Sequence, residues 1–452
     1  MFGQAYKKEY LTNIKIAAPV VIGQVGHMTA QIADSMMVGH LGADVLAASA
    51  FAGMLFLIIL LTLIGLATGI TTLIGNANGE GDRQKAFEIL GNSFWATLIF
   101  SIFSVGILLL AQPVLYHLGQ EKDVVDIALP YYRILCWSAI PLIIFLSLKH
   151  FTEGLEWTMP AMAVSIVANV LNIALNYILI FGKLGYESYG IEGAGYATLI
   201  SRVLMALVMI LLLYSHPRLS FYKTALVKFK WSLERLLALF RIGFPIGLQY
   251  LLEGGAFIAA TLFIGFLGAE HLAGHQIALN ISSFTFMFAT GLSATATIRV
   301  SNLVGAGHFE RLKTVSISLF VMIVVAELLF AYLMIATREL LPGLYVDEPD
   351  VILIAGKLLI VAAFFQVSDG IQVVAMGALR GISDVNVPTS IALMAYWIIG
   401  IPVGLALMEF TPLKSIGIWY GLLIGLSIAA VLLTIRFAQL LKRQTGKPKP
   451  YN

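Results

Sequence analysis

The chain has 452 residues, 59% of them hydrophobic and only 12% charged, with a formal net charge of +3 and a mean hydropathy of +0.90. Soluble domains carry roughly 25% charged residues, so this composition excludes an ordinary soluble protein, and the small net charge leaves no case for nucleic-acid binding. The single cysteine, Cys136, excludes an intrachain disulfide framework.

The N-terminal stretch MFGQAYKKEYLTN carries no signal-peptide cleavage pattern before the first apolar run, so that run is expected to be a retained first helix. Twelve apolar runs follow in order, at about 14–38, 44–75, 88–112, 130–150, 160–181, 191–214, 240–266, 272–301, 315–337, 351–376, 388–409 and 415–437. Crossing a bilayer as a helix takes about 20 residues, and most of these runs exceed that. Turn residues fill the intervals, as in NANGEGD (76–82), GKLGYESYG (182–190) and RGISDVNVP (380–388). The stretch holding Glu153, Glu156 and Trp157 reads as a wet loop. An all-α integral membrane protein with twelve transmembrane helices is the expected fold class.

Twelve spans put both termini on one face. With the termini in the cytoplasm, 21 of the 28 Lys and Arg fall on the cytoplasmic side, six fall opposite, and Arg202 lies inside a span. That bias predicts cytoplasmic termini in a cell inner membrane. The basic tail KRQTGKPKPYN is expected to be solvated.

The chain also repeats itself. Over about 65 positions one constant shift aligns the halves without a gap, through helices and loops alike: Ile16 on Ile242, Pro19 on Pro245, Leu41-Gly42-Ala43 on Leu267-Gly268-Ala269, Asn76 on Asn302, Gly81 on Gly307. Each half holds six spans, an even number, so the halves share one topology and are related by an axis along the membrane normal. The expected domains are an N-terminal lobe at 1–214, a cytoplasmic linker at 215–239, a C-terminal lobe at 240–440 and a basic tail at 441–452. Two such lobes around a cavity can rock to expose it to either side. Pro19 and Pro245 are candidate kinks in the first and seventh spans.

Ionisable residues within the spans are few: Asp34, Arg202, Glu253, Glu327 and Asp369. A carboxylate near the bilayer centre costs at least ~2.5 kcal/mol on insertion scales, so such residues face water or protein and mark function. Gln366, Asp369 and Gln372 fall at steps of three and form a polar stripe on a helix. Asp34 aligns with Ala260, and Glu253 with His27, so the acids are not part of the shared scaffold. If Glu253 and Asp369 face one interior, they raise each other's pKa or share a cation. Gln276, Asn280 and Ser283 share one helix face, as do Asn169, Asn172 and Asn176. Each set could line a path or join helices through hydrogen bonds. Phe286, with Phe284 and Phe288, could meet a lipophilic cation or simply pack. Pathway residues and paired structural charges are both open readings for Arg202 and Glu327.

Enzyme signatures are missing. The chain has no Walker lysine motif, no HExxH and no CxxC, and the glycine-rich GEGDR (79–83) follows a membrane span. It is therefore not expected to be an enzyme or a nucleotide-driven pump, and an ion gradient is the remaining energy source.

Four segments carry a resemblance: AAPVVIGQVGHMTAQIADSMMVGHLGADVLAA (17–48), NIALNYILIFGKLG (172–185), LAGHQIALNISS (272–283) and VSDGIQVVAMGALRG (367–381). With the twelve-span duplication they resemble the multidrug and toxic compound extrusion family, closest to its NorM-type branch. The resemblance covers nearly the whole chain. It implies a V-shaped bundle of two pseudo-symmetric six-helix lobes, acting as a monomer that exports lipophilic cationic drugs in exchange for Na⁺ or H⁺, with no other cofactor. By position it implies cation coupling at Asp34, Glu253 and Asp369, with Glu253 and Asp369 as Na⁺ ligands. Gln276, Asn280, Phe286, Asn172, Asn176 and Gln366 are the candidate substrate-cavity residues. Two positions depart from the family pattern. Phe365 stands where relatives often have Tyr, which removes one oxygen for a cation. Asn176 stands where other branches have an acid. A flippase for a lipid-linked precursor is the alternative function; it would need a larger, more basic interior.

Overall fold

The computed structural model describes residues 2–445, so part of the expected tail, 446–452, lies outside the described residues. The described residues contain no strand, and twelve helical spans are long and apolar enough to cross a membrane. In chain order the helices are α1 (Phe2–Gly39), α2 (Ala43–Gly79), α3 (Arg83–Leu110), α4 (Lys122–Gly154), α5 (Met159–Phe181), α6 (Gly190–Ser215) and the short α7 (Ala225–Lys228). Then come α8 (Leu233–Gly265), α9 (Ala269–Gly305), α10 (Phe309–Ala336), α11 (Pro349–Gly381), α12 (Asn386–Ala392), α13 (Ile401–Phe410) and α14 (Ser415–Thr445). A π-helical stretch, Leu393–Gly400, joins α12 to α13, and together they make the eleventh span. Every span predicted from hydropathy is present, most of them extended at the ends; α14, for example, runs on to Thr445 through residues expected in the tail.

The duplication extends to the helix ends. Helices α2 and α9 begin and end at positions that the sequence repeat superimposes, as do α3 and α10; α4 and α11 keep the same step with one extra position in the second copy. Turn geometry repeats as well. Gly42 and Gly268 take φ of 122° and 105°, and Gly81 and Gly307 take 75° and 67°. Those values lie where an L side chain is strained, which explains why glycine stands at both copies. Side-chain bonds repeat too. Thr71 Oγ1 donates to the His150 carbonyl (3.3 Å) between α2 and α4, and Thr297 Oγ1 donates to the Gly377 carbonyl (2.9 Å) between α9 and α11. A Cβ at Gly154 would meet Ile74 Cβ at 2.7 Å, and one at Gly381 would meet Val300 Cβ at 2.7 Å. Both pairs obey the same register. Gly377 and Gly381 thus form a small-xxx-small face on which α9 seats, with Ser293 Oγ donating to the Val373 carbonyl at 2.7 Å.

Packing divides the chain into two units, residues 22–247 and residues 1–21 with 248–452. The division does not follow the chain halves. Helix α1 gives its start to the C-terminal unit, and α8 gives its start to the N-terminal unit. The changeovers fall just after Pro19 and Pro245, where proline removes a backbone hydrogen bond and allows the helix to bend.

Each transferred helix start is fixed by charge. In the C-terminal unit Glu9 is buried and accepts from Arg299 Nη2 (2.5 Å) and Arg311 Nε (2.7 Å), while Asn13 Nδ2 donates to Ser318 Oγ (2.7 Å). In the N-terminal unit Arg235, which the repeat places opposite Glu9, pairs with Glu88 at 3.4 Å. The segment between α6 and α8 is docked on the N-terminal unit. Asn92 bonds the Lys230 carbonyl and the Ser232 amide, and Trp95 Nε1 donates to the Leu226 carbonyl.

One sequence expectation is overturned here. Glu153 is not in a wet loop: it is buried in the last turn of α4, 2.9 Å from His150 Nδ1 and 3.8 Å from Lys149 Nζ. Trp157 is covered by Arg218, 5.1 Å over its ring, and by His216, with ring centroids 4.5 Å apart. Only Glu156, at φ 57°, is an exposed turn residue. Local polarity suggested solvent; tertiary partners supplied the bonds instead.

Candidate functional site: buried acids in two unequal units

The C-terminal unit gathers three acids. Asp369 lies at the middle of α11, Glu253 on α8 and Glu327 on α10, and all three are buried. Packing explains why Glu327 joins them. Gly370, next to Asp369, leaves room for the Glu327 side chain, whose Cγ would be 2.7 Å from a Cβ at 370. Asp369 is within electrostatic range of both Glu253 and Glu327. Among the described residues no hydrogen-bond donor reaches Glu253 Oε1, Glu327 Oε2 or Asp369 Oδ1. Buried polar atoms are nearly always paired, so three orphaned carboxyl oxygens in one neighbourhood call for a proton or a cation. Tyr396, from the π-helical stretch, donates its hydroxyl to Gln372 Oε1 and lies within electrostatic range of Glu253 and Asp369. π-Helical turns recur at functional sites. The positive group here is Arg380, whose guanidinium donates to Gln249 Oε1 (2.9 Å) and Tyr250 OH (3.0 Å) and lies 4.8 Å over the Tyr250 ring.

The N-terminal unit is built differently. Asp34 on α1 accepts from Asn176 Nδ2 of α5 at 2.8 Å, and Asn176 also lies 3.4 Å from Asn172 Oδ1. Arg202 on α6 donates from Nη1 to Ser138 Oγ of α4 (2.6 Å) and sits 5.5 Å over the Phe56 ring of α2. Asp34 and Arg202 are within electrostatic range of each other, yet no ion pair joins them. Here a single amide-bonded carboxylate, Asp34, stands near the Arg202 guanidinium.

The family is decided by comparison with known proteins. The MatE family matches residues 19–178 and 245–406, one copy in each half of the chain. The chain belongs to the MatE family. The "Probable multidrug resistance protein NorM" of Pseudomonas putida is 33% identical over 442 residues, covering 96% of this chain and 95% of the relative. The "Multidrug resistance protein NorM" of Photobacterium profundum is 32% identical over 435 residues, covering 95% of each. Among solved structures, the "outward-facing conformation of a multidrug resistance MATE family transporter of the MOP superfamily" superposes with a TM-score of 0.91 over 97% of both chains at 20% identity, which establishes the shared fold.

Within this MatE fold the sequence candidates separate into groups. Glu253 and Asp369 come together in the C-terminal unit, and Asp34, Asn172 and Asn176 in the N-terminal unit. Gln366 is buried and donates to the Ser282 carbonyl at 3.0 Å, joining α11 to α9. Gln276 and Asn280 lie exposed along α9, and Phe286 is half-buried against the C-terminal core. Phe365 is buried, 5.4 Å from the Trp419 ring at a steep angle, so it serves packing. Among the described residues no three or more His, Cys, Asp or Glu side chains converge to hold a metal ion. Sequence reasoning did not single out Tyr396, which bonds Gln372 beside these acids, and left Glu327 unplaced. For Glu327 the available signal was the glycine beside Asp369; for Tyr396 no sequence period pointed inward, because the π turn shifts the register.

Proposed function

We propose that this membrane protein is a cation-coupled antiporter that exports lipophilic, mostly cationic drugs and toxins from the cytoplasm by alternating access, exchanging them for Na⁺ or H⁺. The supporting observation is the neighbourhood of Glu253, Glu327 and Asp369, buried with an unpartnered oxygen on each. Carboxyl groups in that state gain from a proton or a small cation, and also attract a cationic substrate. Occupancy by the ion and by the substrate is then mutually exclusive, which is the requirement for exchange. By linkage, the ion drives the cycle only if it binds the two access states with different affinity. Oxygens for Na⁺ would come from Glu253 and Asp369, with Gln372 and Tyr396 nearby.

The cycle assigns roles in order. A cationic substrate enters from the cytoplasm, the access changes, and the ion loads the acids from outside, neutralises them and lowers the affinity for substrate. The ion-bound carrier then resets. The helix starts fixed by Glu9 and Arg235 travel with the unit opposite to the rest of their helices, so bending at Pro19 and Pro245 accommodates the change. No bond of the substrate is made or broken. The names of the relatives, multidrug resistance proteins, support small-molecule export, and the basic-residue bias supports an inner-membrane protein with cytoplasmic termini; that it works as a monomer is what the family resemblance implies.

The experiment is expression in a drug-sensitive bacterial host, followed by ethidium fluorescence. A raised tolerated dose together with energy-dependent efflux is expected. Unchanged tolerance and passive efflux, with the protein demonstrably in the membrane, would exclude the proposal.

A further inference from the structure

Trp397 lies near the middle of the eleventh span, about a dozen residues from Asn386 and from Phe410. At ~1.5 Å per residue that is roughly 16 Å or more from either end, too deep for the interfacial belt where membrane tryptophans gather. It stands in the π-helical stretch Leu393–Gly400, next to Tyr396. The two side chains reach different helices. Tyr396 donates to Gln372 of α11, one turn beyond Asp369. Trp397 Nε1 donates to the Leu252 carbonyl of α8 at 2.9 Å. That carbonyl belongs to the peptide unit whose amide is Glu253's own, so the indole holds the planar group on which Glu253 is mounted. A carbonyl has two lone pairs and can accept the indole beside its helical partner.

Local sequence gives that hold a purpose. Gly254 and Gly255 follow Glu253 directly, and glycine weakens a helix interior. The indole lies on Gly255: a Cβ there would meet Trp397 Cζ2 at 3.1 Å. The π-helical stretch is itself seated closely on α14, where a Cβ at Gly425 would meet the Ala395 carbonyl oxygen at 2.6 Å. One turn of backbone, backed by α14, thus grips the acid-bearing segments of both α8 and α11. A proton needs a single carboxyl oxygen, whereas a hard metal cation is held by several oxygens at once. Only the metal cation depends on how two acids are spaced.

We propose that the π-helical stretch sets the spacing of Glu253 and Asp369, with Trp397 as the positioning residue on the α8 side, and so gives this pair its affinity for Na⁺. The inference rests on the reading of the two acids as the ion site. Ethidium, whose charge is spread over a large ring system, needs no set of oxygens at one distance and does not depend on Trp397.

The test measures binding of radiolabelled Na⁺, and separately of ethidium, to the purified full-length protein in detergent at one pH. For Trp397→Phe, which keeps a ring on Gly255 and loses the N–H, the expected result is a Kd for Na⁺ raised about tenfold with the ethidium Kd unchanged. Gly255→Ala keeps the N–H but pushes the indole from its seat; it should raise the Na⁺ Kd by a smaller factor, and it decides if Trp397→Phe does not fold. Trp137→Phe, at an exposed tryptophan of α4, is the control and should change neither Kd. Unchanged Na⁺ affinity, or equal weakening for Na⁺ and ethidium, would make Trp397 a structural brace and overturn the inference. Wild-type protein that binds no Na⁺ would overturn it too, while efflux driven by a pH gradient would leave the export reading standing. The expected Na⁺ pattern without drug efflux from proteoliposomes would uphold the inference and count against the export reading alone.

Discussion

The two units share a backbone and differ in chemistry. Helix ends, turn glycines, the Thr71 and Thr297 bonds and the Gly154 and Gly381 contacts all coincide when one half is laid on the other in the register of the repeat. The acids do not. In that register Glu253 faces His27, Glu327 faces Ser101, Asp369 faces Leu142 and Asp34 faces Ala260. Positions that keep the repeat build the scaffold; positions that break it carry charge. The C-terminal unit concentrates three acids with unpartnered oxygens. In the N-terminal unit the counterpart region holds Asp34, amide-bonded to Asn176, near Arg202.

The anchors of the two transferred helix starts differ in the same spirit. Glu9 has 7% of its side chain exposed and Arg299 2%, whereas Arg235 and Glu88 have 26% and 29%. Removing one partner of a buried ion pair leaves the other uncompensated, so Glu9→Gln should cost about 3–5 kcal/mol, read as a lower unfolding temperature of the purified protein in detergent. A shift no larger than that of Arg235→Gln would erase the distinction between the anchors. Gly154→Val and Gly381→Val should each cost roughly 1–3 kcal/mol or more, from overpacking, and by similar amounts because their neighbours are equivalent. Destabilisation by only one of them would break the scaffold symmetry. Tyr396→Phe deletes the donor to buried Gln372 and should cost ~1–3 kcal/mol, while also weakening the coupling ion's half-saturation in flux assays. An unaltered ion dependence would remove Tyr396 from the site. Arg235→Gln is expected to have the smallest effect, below ~1 kcal/mol, as for a solvent-accessible pair.

Much of this was legible in the sequence, for physical reasons. Apolar runs long enough to span a bilayer must become helices in lipid, and a repeat with few gaps survives in register, so spans and duplication could be read directly. The acids could be read too, because charge within an apolar run is costly. What could not be read depends on tertiary packing. Glu327 packs against the residue beside Asp369 only because Gly370 lacks a side chain. Tyr396 turns inward because the backbone adds a π turn. Glu153 is buried because His150 and Lys149 receive it. The exchange of helix starts between units needed Glu9 to meet Arg299 and Arg311 from the other half of the chain, and no local pattern encodes that meeting.

Ion coupling is proposed to reside in the acids of the C-terminal unit. Its most direct test is substrate efflux from proteoliposomes under an imposed Na⁺ gradient and then an imposed pH gradient, for wild type and Asp369→Asn. Wild-type efflux should accelerate with one of the two gradients, which identifies the ion, and Asp369→Asn should lose that acceleration while keeping a folded, monodisperse profile. Full gradient-driven efflux by Asp369→Asn would contradict the claim and move the coupling site to Asp34.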